Sequence, residues 1–115
     1  MTFVVSRFLS IGLVLAALFS VAGIAHAQRQ QDHRMDIVNQ TGRVINNFYA
    51  TNAGVKNWGR DLLGQAVIGP GQSHRFDFND GTGSCMFDFR AVLDNGRAIE
   101  RYRVNVCNDT LWNVQ

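Results

Sequence analysis

The sequence predicts an all-β protein, a small antiparallel β-sandwich of about seven strands with one disulfide. Three observations predict it. Short apolar or alternating runs are separated by turn residues at spacings typical of all-β domains. No segment sustains the helical period of a long amphipathic helix. The chain holds two cysteines, Cys85 and Cys107, which are expected to pair in an oxidising compartment. Several two-faced strands with no helix to cover them must pack as two sheets. A partly open β-barrel is the alternative.

The predicted strands are Met35–Val38, Arg43–Thr51, Ala66–Ile68, Ser73–Phe78, Met86–Leu93, Ile99–Val106 and Leu111–Val114. Turn chemistry separates them: Asn39-Gln-Thr-Gly42, Gly69-Pro70-Gly71, Asn79-Asp-Gly-Thr-Gly83 and Asp94-Asn-Gly96. Asp61-Leu62-Leu63 is expected to make one helical turn before Gly64. Alternation in Ser73–Phe78 puts His74, Phe76 and Phe78 on one face, Arg75 and Asp77 on the other.

The firmest local pattern is the hairpin around Asn95-Gly96, a dipeptide suited to a two-residue type I′ turn. That loop sets Asp94 opposite Arg97, Phe87 opposite Val104 and Phe89 opposite Tyr102. Both apolar pairs then share one face, and Asp88, Arg90, Arg101 and Arg103 occupy the other. The same register sets Cys85 opposite Val106 and turns Cys107 away. A Cys85–Cys107 bond therefore needs a bulge near Asn105, a three-residue turn, or a chain that leaves the strand before Cys107.

The N-terminus reads as a secretory signal peptide over residues 1–27. Arg7 is the only charged side chain before an uncharged run from Phe8 to Ala25, which ends in Ala25-His26-Ala27. No cluster of positive charge follows as a stop-transfer signal, so no stable membrane anchor is expected after cleavage. Residues 28–33 are polar and without periodicity and read as a flexible arm, leaving 34–115 as a single β domain. A core this small is marginal, and a disulfide closing this loop contributes about 3 kcal/mol.

Charge excludes one class of partner. Once Arg7 leaves with the signal, 10 basic residues face 9 acidic ones. The basic residues are scattered singly, unlike the clustered footprint of a nucleic-acid binder. The loop Asp77–Ser84 fails the EF-hand template, with Thr82 where glycine belongs and Asp88 where glutamate belongs. His33 and His74 lack a partner at metal-ligand spacing, and Ser73 and Ser84 sit in ordinary strand or turn settings. No metal, cofactor or catalytic group is expected.

Trp58-Gly-Arg60-Asp61-Leu-Leu-Gly64 is the most distinctive segment. Trp58, Arg60 and Asp61 are its candidate binding residues, because aromatic rings and guanidinium groups anchor interfaces. The structural alternative has Trp58 capping the sandwich while Arg60 and Asp61 fix the loop. An exposed Trp58 favours recognition and a buried one favours the core.

The order of Asn39-x-Thr41-Gly42, Trp58-Gly-x-Asp61-Leu-Leu-Gly64, Gly69-Pro-Gly71, Cys85-x-Phe-Asp88-x-Arg90, Asp94-x-Gly96 and Asn105-Val-Cys107 resembles a group of small exported proteobacterial proteins. The resemblance implies a periplasmic or secreted setting and carries both cysteines, with no active site to transfer. These features lead to an exported, non-enzymatic binding or interaction module for an unknown protein or envelope ligand. A structural component of the envelope or of a larger assembly is the alternative, ahead of a small hydrolase or inhibitor.

Overall fold

A computed structural model describes residues 32–115. The expected signal peptide, residues 1–27, and residues 28–31 of the expected arm lie outside the described residues. The order is β1 (Arg34–Asn39), β2 (Ile45–Asn52), β3 (Ser73–Asp77), β4 (Met86–Leu93), β5 (Ala98–Asn105) and β6 (Leu111–Val114). They form two three-stranded sheets, β3-β1-β6 and β2-β4-β5, packed as a sandwich that does not close into a barrel. The described residues form six strands, because Ala66–Ile68 contributes only an isolated bridge from Ile68 to Ile45. Leu62 and Leu63 bend into a turn at Gly64 and Gln65, in place of the expected helical turn over Asp61–Leu63. Pairing is antiparallel except that β1 and β6 run parallel.

Alternation fills the space between the sheets. Met35 and Ile37 from β1, Phe76 from β3 and Trp112 from β6 meet Phe48 from β2 and Phe89 from β4. Phe48 is central and fully buried: its ring centroid lies 4.8 Å from that of Phe76 and 5.3 Å from that of Phe89. Offset and tilted contacts of this kind stabilise beyond the area they bury. Asn39 is also fully buried, and its amide is fully used. Nδ2 donates to the carbonyls of Arg43 and Ile68, while Oδ1 accepts from the Thr41 amide and hydroxyl. A buried polar group is tolerated on those terms.

The β4–β5 hairpin departs from its expected register in two places. The Leu93 amide donates to the Arg97 carbonyl and the Gly96 amide donates to the Leu93 carbonyl. The loop is thus three residues, Asp94-Asn95-Gly96, with Gly96 at φ 86°. This is a type I turn followed by a left-handed glycine, in place of the two-residue type I′ turn. The longer loop slides β5 by one residue, so that Phe89 faces Arg101 and not Tyr102. Left uncorrected, such a slip would turn Val104 and Val106 to solvent.

A bulge corrects it. Between the Phe89–Arg101 and Phe87–Val104 pairs, Tyr102 and Arg103 both oppose Asp88. Beyond it the original register returns, and Val104 and Val106 are buried. The Val106 amide donates to the Cys85 carbonyl, after which the chain leaves the strand. Cys107 therefore swings back, and the Cys85–Cys107 disulfide forms. His33, assigned to the flexible arm, is buried and its carbonyl accepts from the Phe78 amide. The ladder between β1 and β3 thus extends one step past the strand ends and takes His33 into the packed unit.

Candidate functional site

The bulge shapes the outer face of the β2-β4-β5 sheet. Arg103 has φ 58°, an uncommon left-handed conformation for a residue with a side chain. Its amide donates to Asp88 Oδ1, while the Gly54 amide donates to Asp88 Oδ2. Alternation assigned Asp88 to a solvent face. It is buried instead, because the bulge and the loop after β2 close over it from two sides. Both oxygens of this carboxylate are engaged by backbone, which ties the loop to the bulge.

The consequence is a change of side for Tyr102. Expected opposite Phe89 in the core, it stands 57% exposed on the outer face. There its ring centroid lies 6.4 Å from that of Trp58, at a 42° tilt. Its hydroxyl donates to Glu100 Oε1, which holds that hydroxyl above its usual titration range. The other Glu100 oxygen accepts from Arg90 Nη1, and Arg90 Cζ lies 6.0 Å from the Trp58 ring centroid. Trp58, Arg90, Glu100 and Tyr102 thus form a belt of successive contacts, each limiting the rotamers of the next.

Beside this belt is a cleft of about 340 Å³, lined by Gly54, Val55, Lys56, Trp58, Asp88 and Tyr102. Trp58 is partly exposed at its wall, between the two positions that would decide for recognition or for core. Arg60 is exposed, and no ion pair holds it among the described residues. Asp61 works inward. Its Oδ1 accepts from the Phe48 and Leu63 amides and its Oδ2 from Asn47 Nδ2. Burial opposes its charge, but these hydrogen bonds together outweigh that cost and lower its pKa below the ordinary carboxylate value.

The Leu62 amide donates to the Phe48 carbonyl, so segment 61–62 satisfies both backbone groups that Phe48 turns to the free edge of β2. Leu63 is buried beneath it. The Trp58–Gly64 segment therefore has two parts. Asp61–Leu63 fastens it to the sheet, and Trp58 faces the cleft.

Elsewhere, the acidic loop satisfies its own backbone. Asp77 Oδ1 accepts from the Asn79 amide, and Asp80 Oδ1 accepts from the Thr82 amide and hydroxyl. Ser84 Oγ donates to the Met86 carbonyl, and His74 packs against the Phe76 ring. No family model matches the chain, and no curated protein or solved structure matches it.

Proposed function

We propose that this is an exported, non-enzymatic binding module whose contact surface is the Trp58–Tyr102 cleft. One observation carries the reading: a backbone bulge with a left-handed arginine and a buried, doubly bonded aspartate projects an aromatic ring into solvent beside a second ring. Bulges commonly re-aim side chains near functional sites, and backbone strain collects there. The belt holds both rings in place before binding, which reduces the ordering cost of association.

The cleft offers ring faces, the Lys56 ammonium group and the Tyr102 hydroxyl, while the Asp88 oxygens are engaged by backbone donors. That combination suits a ligand with a flat apolar face bordered by an acceptor for Lys56 and by a hydroxyl or amide donor for the Tyr102 oxygen, whose own proton is given to Glu100. An envelope saccharide and an extended peptide both meet that description. The periplasmic or secreted location belongs to the same proposal and is supported by the disulfide, which suits an oxidising compartment.

The test is capture from envelope extract on immobilised protein, comparing wild type with Trp58→Ala and Tyr102→Ala. Ligand capture by wild type that is lost in both variants, with circular dichroism unchanged, supports the proposal. Equal capture by all three removes the cleft from consideration.

A second reading, a structural subunit, draws on the open sheets. The terminal strand β6 lies at a sheet edge and exposes Leu111. Light scattering over a range of concentrations separates the two: growth in mass with concentration favours assembly, and a constant monomer mass favours the module.

A further inference from the structure

The open end of the β4–β5 hairpin brings His33 against the disulfide. His33 keeps 9% of its surface exposed, and its Nε2 lies 3.3 Å from Cys107 Sγ. Among the described residues, Nδ1 is buried without a hydrogen-bond partner. A neutral imidazole carries one N–H. A proton on Nδ1 would bury a donor with no acceptor, whereas a proton on Nε2 leaves only an acceptor unpaired, the deficit that proteins tolerate more often. The ring therefore directs Nε2–H at the Cys107 sulfur.

His33, Cys85 and Cys107 bring their ligand atoms within 4.8 Å of one another, which would suit a soft metal once the disulfide was reduced. The same tautomer argues against that use. Ligation needs a bare Nε2 and would leave Nδ1–H without the outer acceptor that metal-bound histidines almost always have. An N–H facing sulfur is suited to a different task, stabilising a thiolate.

We propose that Cys85–Cys107 is an exchange-active disulfide, attacked by an external thiol at Cys85 and releasing Cys107 as a thiolate that His33 Nε2–H holds. The substrate class is a dithiol. Its thiolate forms a new S–S bond to Cys85 Sγ as the Cys85–Cys107 bond breaks, and the bonding pair passes to Cys107 Sγ. The donor's second thiolate then attacks the donor sulfur in the mixed disulfide and expels the Cys85 thiolate. The protein ends two electrons reduced, and the donor ends as a disulfide. Both cysteines are partly exposed, and attack at Cys85 is the direction that sends the leaving electron pair to Cys107 Sγ, the sulfur beside His33 Nε2. A better-stabilised leaving thiolate departs faster.

The first measurement uses the unaltered, oxidised full chain with glutathione, quenched by iodoacetamide and mapped by mass spectrometry. Glutathione on Cys85 with the alkyl group on Cys107 is the expected product. The second compares reduction rates by dithiothreitol in wild type, His33→Leu and His33→Gln, all starting with the disulfide formed. The leucine variant is expected to react about tenfold more slowly, the weight of one hydrogen bond to a developing charge. Glutamine, which restores an N–H, should recover most of the rate. Glutathione on Cys107 or shared between the two cysteines overturns the proposal, as does a leucine variant that reacts at the wild-type rate. The adduct map decides the matter on unaltered protein even if His33→Leu fails to fold.

Discussion

The inner face of the β2-β4-β5 sheet presents Phe48, Phe87, Phe89 and Ala91 to the opposite sheet, all buried, the β4 residues by strict alternation and Phe48 beyond an irregularity between Ile45 and Asn47. The outer face of the same strands carries Asp88, Arg90, Glu100 and Tyr102, placed by a bulge, two carboxylates and a crossing loop. Apolar contact without directional bonds holds the inner face. Directional hydrogen bonds, which work only at defined geometry, hold the outer one. The inner face should therefore govern stability, and the outer face should govern recognition.

Four variants test that division, from the largest effect to the smallest. Phe48→Ala opens a cavity where four aromatic neighbours converge, and is expected to cost about 3–5 kcal/mol in urea unfolding. A loss below about 1 kcal/mol would mean that the core is not organised around this ring. Asp88→Ala strands the Gly54 and Arg103 amides and should cost about 2–3 kcal/mol. It should also abolish ligand capture, the one case in which an outer-face residue damages both properties. Retained stability would show that the bulge forms without its carboxylate.

Asp61 provides a pH test of the loop fastening. Its folded pKa is lowered, so its contribution is fully present above the unfolded value of about 3.9 and is lost as pH falls through the folded value. Asp61→Asn should be about 1–2 kcal/mol less stable at neutral pH, and its stability should fall less steeply on acidification than that of wild type. Parallel pH curves would exclude Asp61 as a source of the acid limb. The smallest stability effect belongs to Tyr102→Ala, within about 0.5 kcal/mol of wild type as for other exposed sites. Capture should nonetheless be lost. A large stability loss here would blur the distinction between the faces.

Much of the fold was legible in the sequence, and the exceptions are specific. Met35, Ile37, Phe76, Phe87 and Phe89 follow alternation because a strand half-buried in a sandwich must present one apolar face. Asp94-Asn95-Gly96 contained enough residues for either a two-residue or a three-residue loop, and local propensity favoured the shorter. No local signal opposed it, because Arg101-Tyr102-Arg103 alternates polar, aromatic, polar as the shorter loop requires. Of the candidate site, Trp58 was legible as an aromatic on a glycine-flanked loop. Tyr102 was not, since its side depends on a bulge that only the pairing with Asp88 reveals.

The sequence by itself determined the fold class, the sandwich core, the hairpin and the two cysteines that join it, because short-range periodicity and turn chemistry act along the chain. Only the tertiary structure decided which loop length β4 and β5 adopt, that Asp88 is interior and Tyr102 exterior, and that His33 meets the disulfide. Those outcomes depend on burying Val104 and Val106 after the turn has displaced the register by one residue. The core must be filled, and where the turn and the core disagree, the bulge absorbs the difference and leaves an aromatic ring outside.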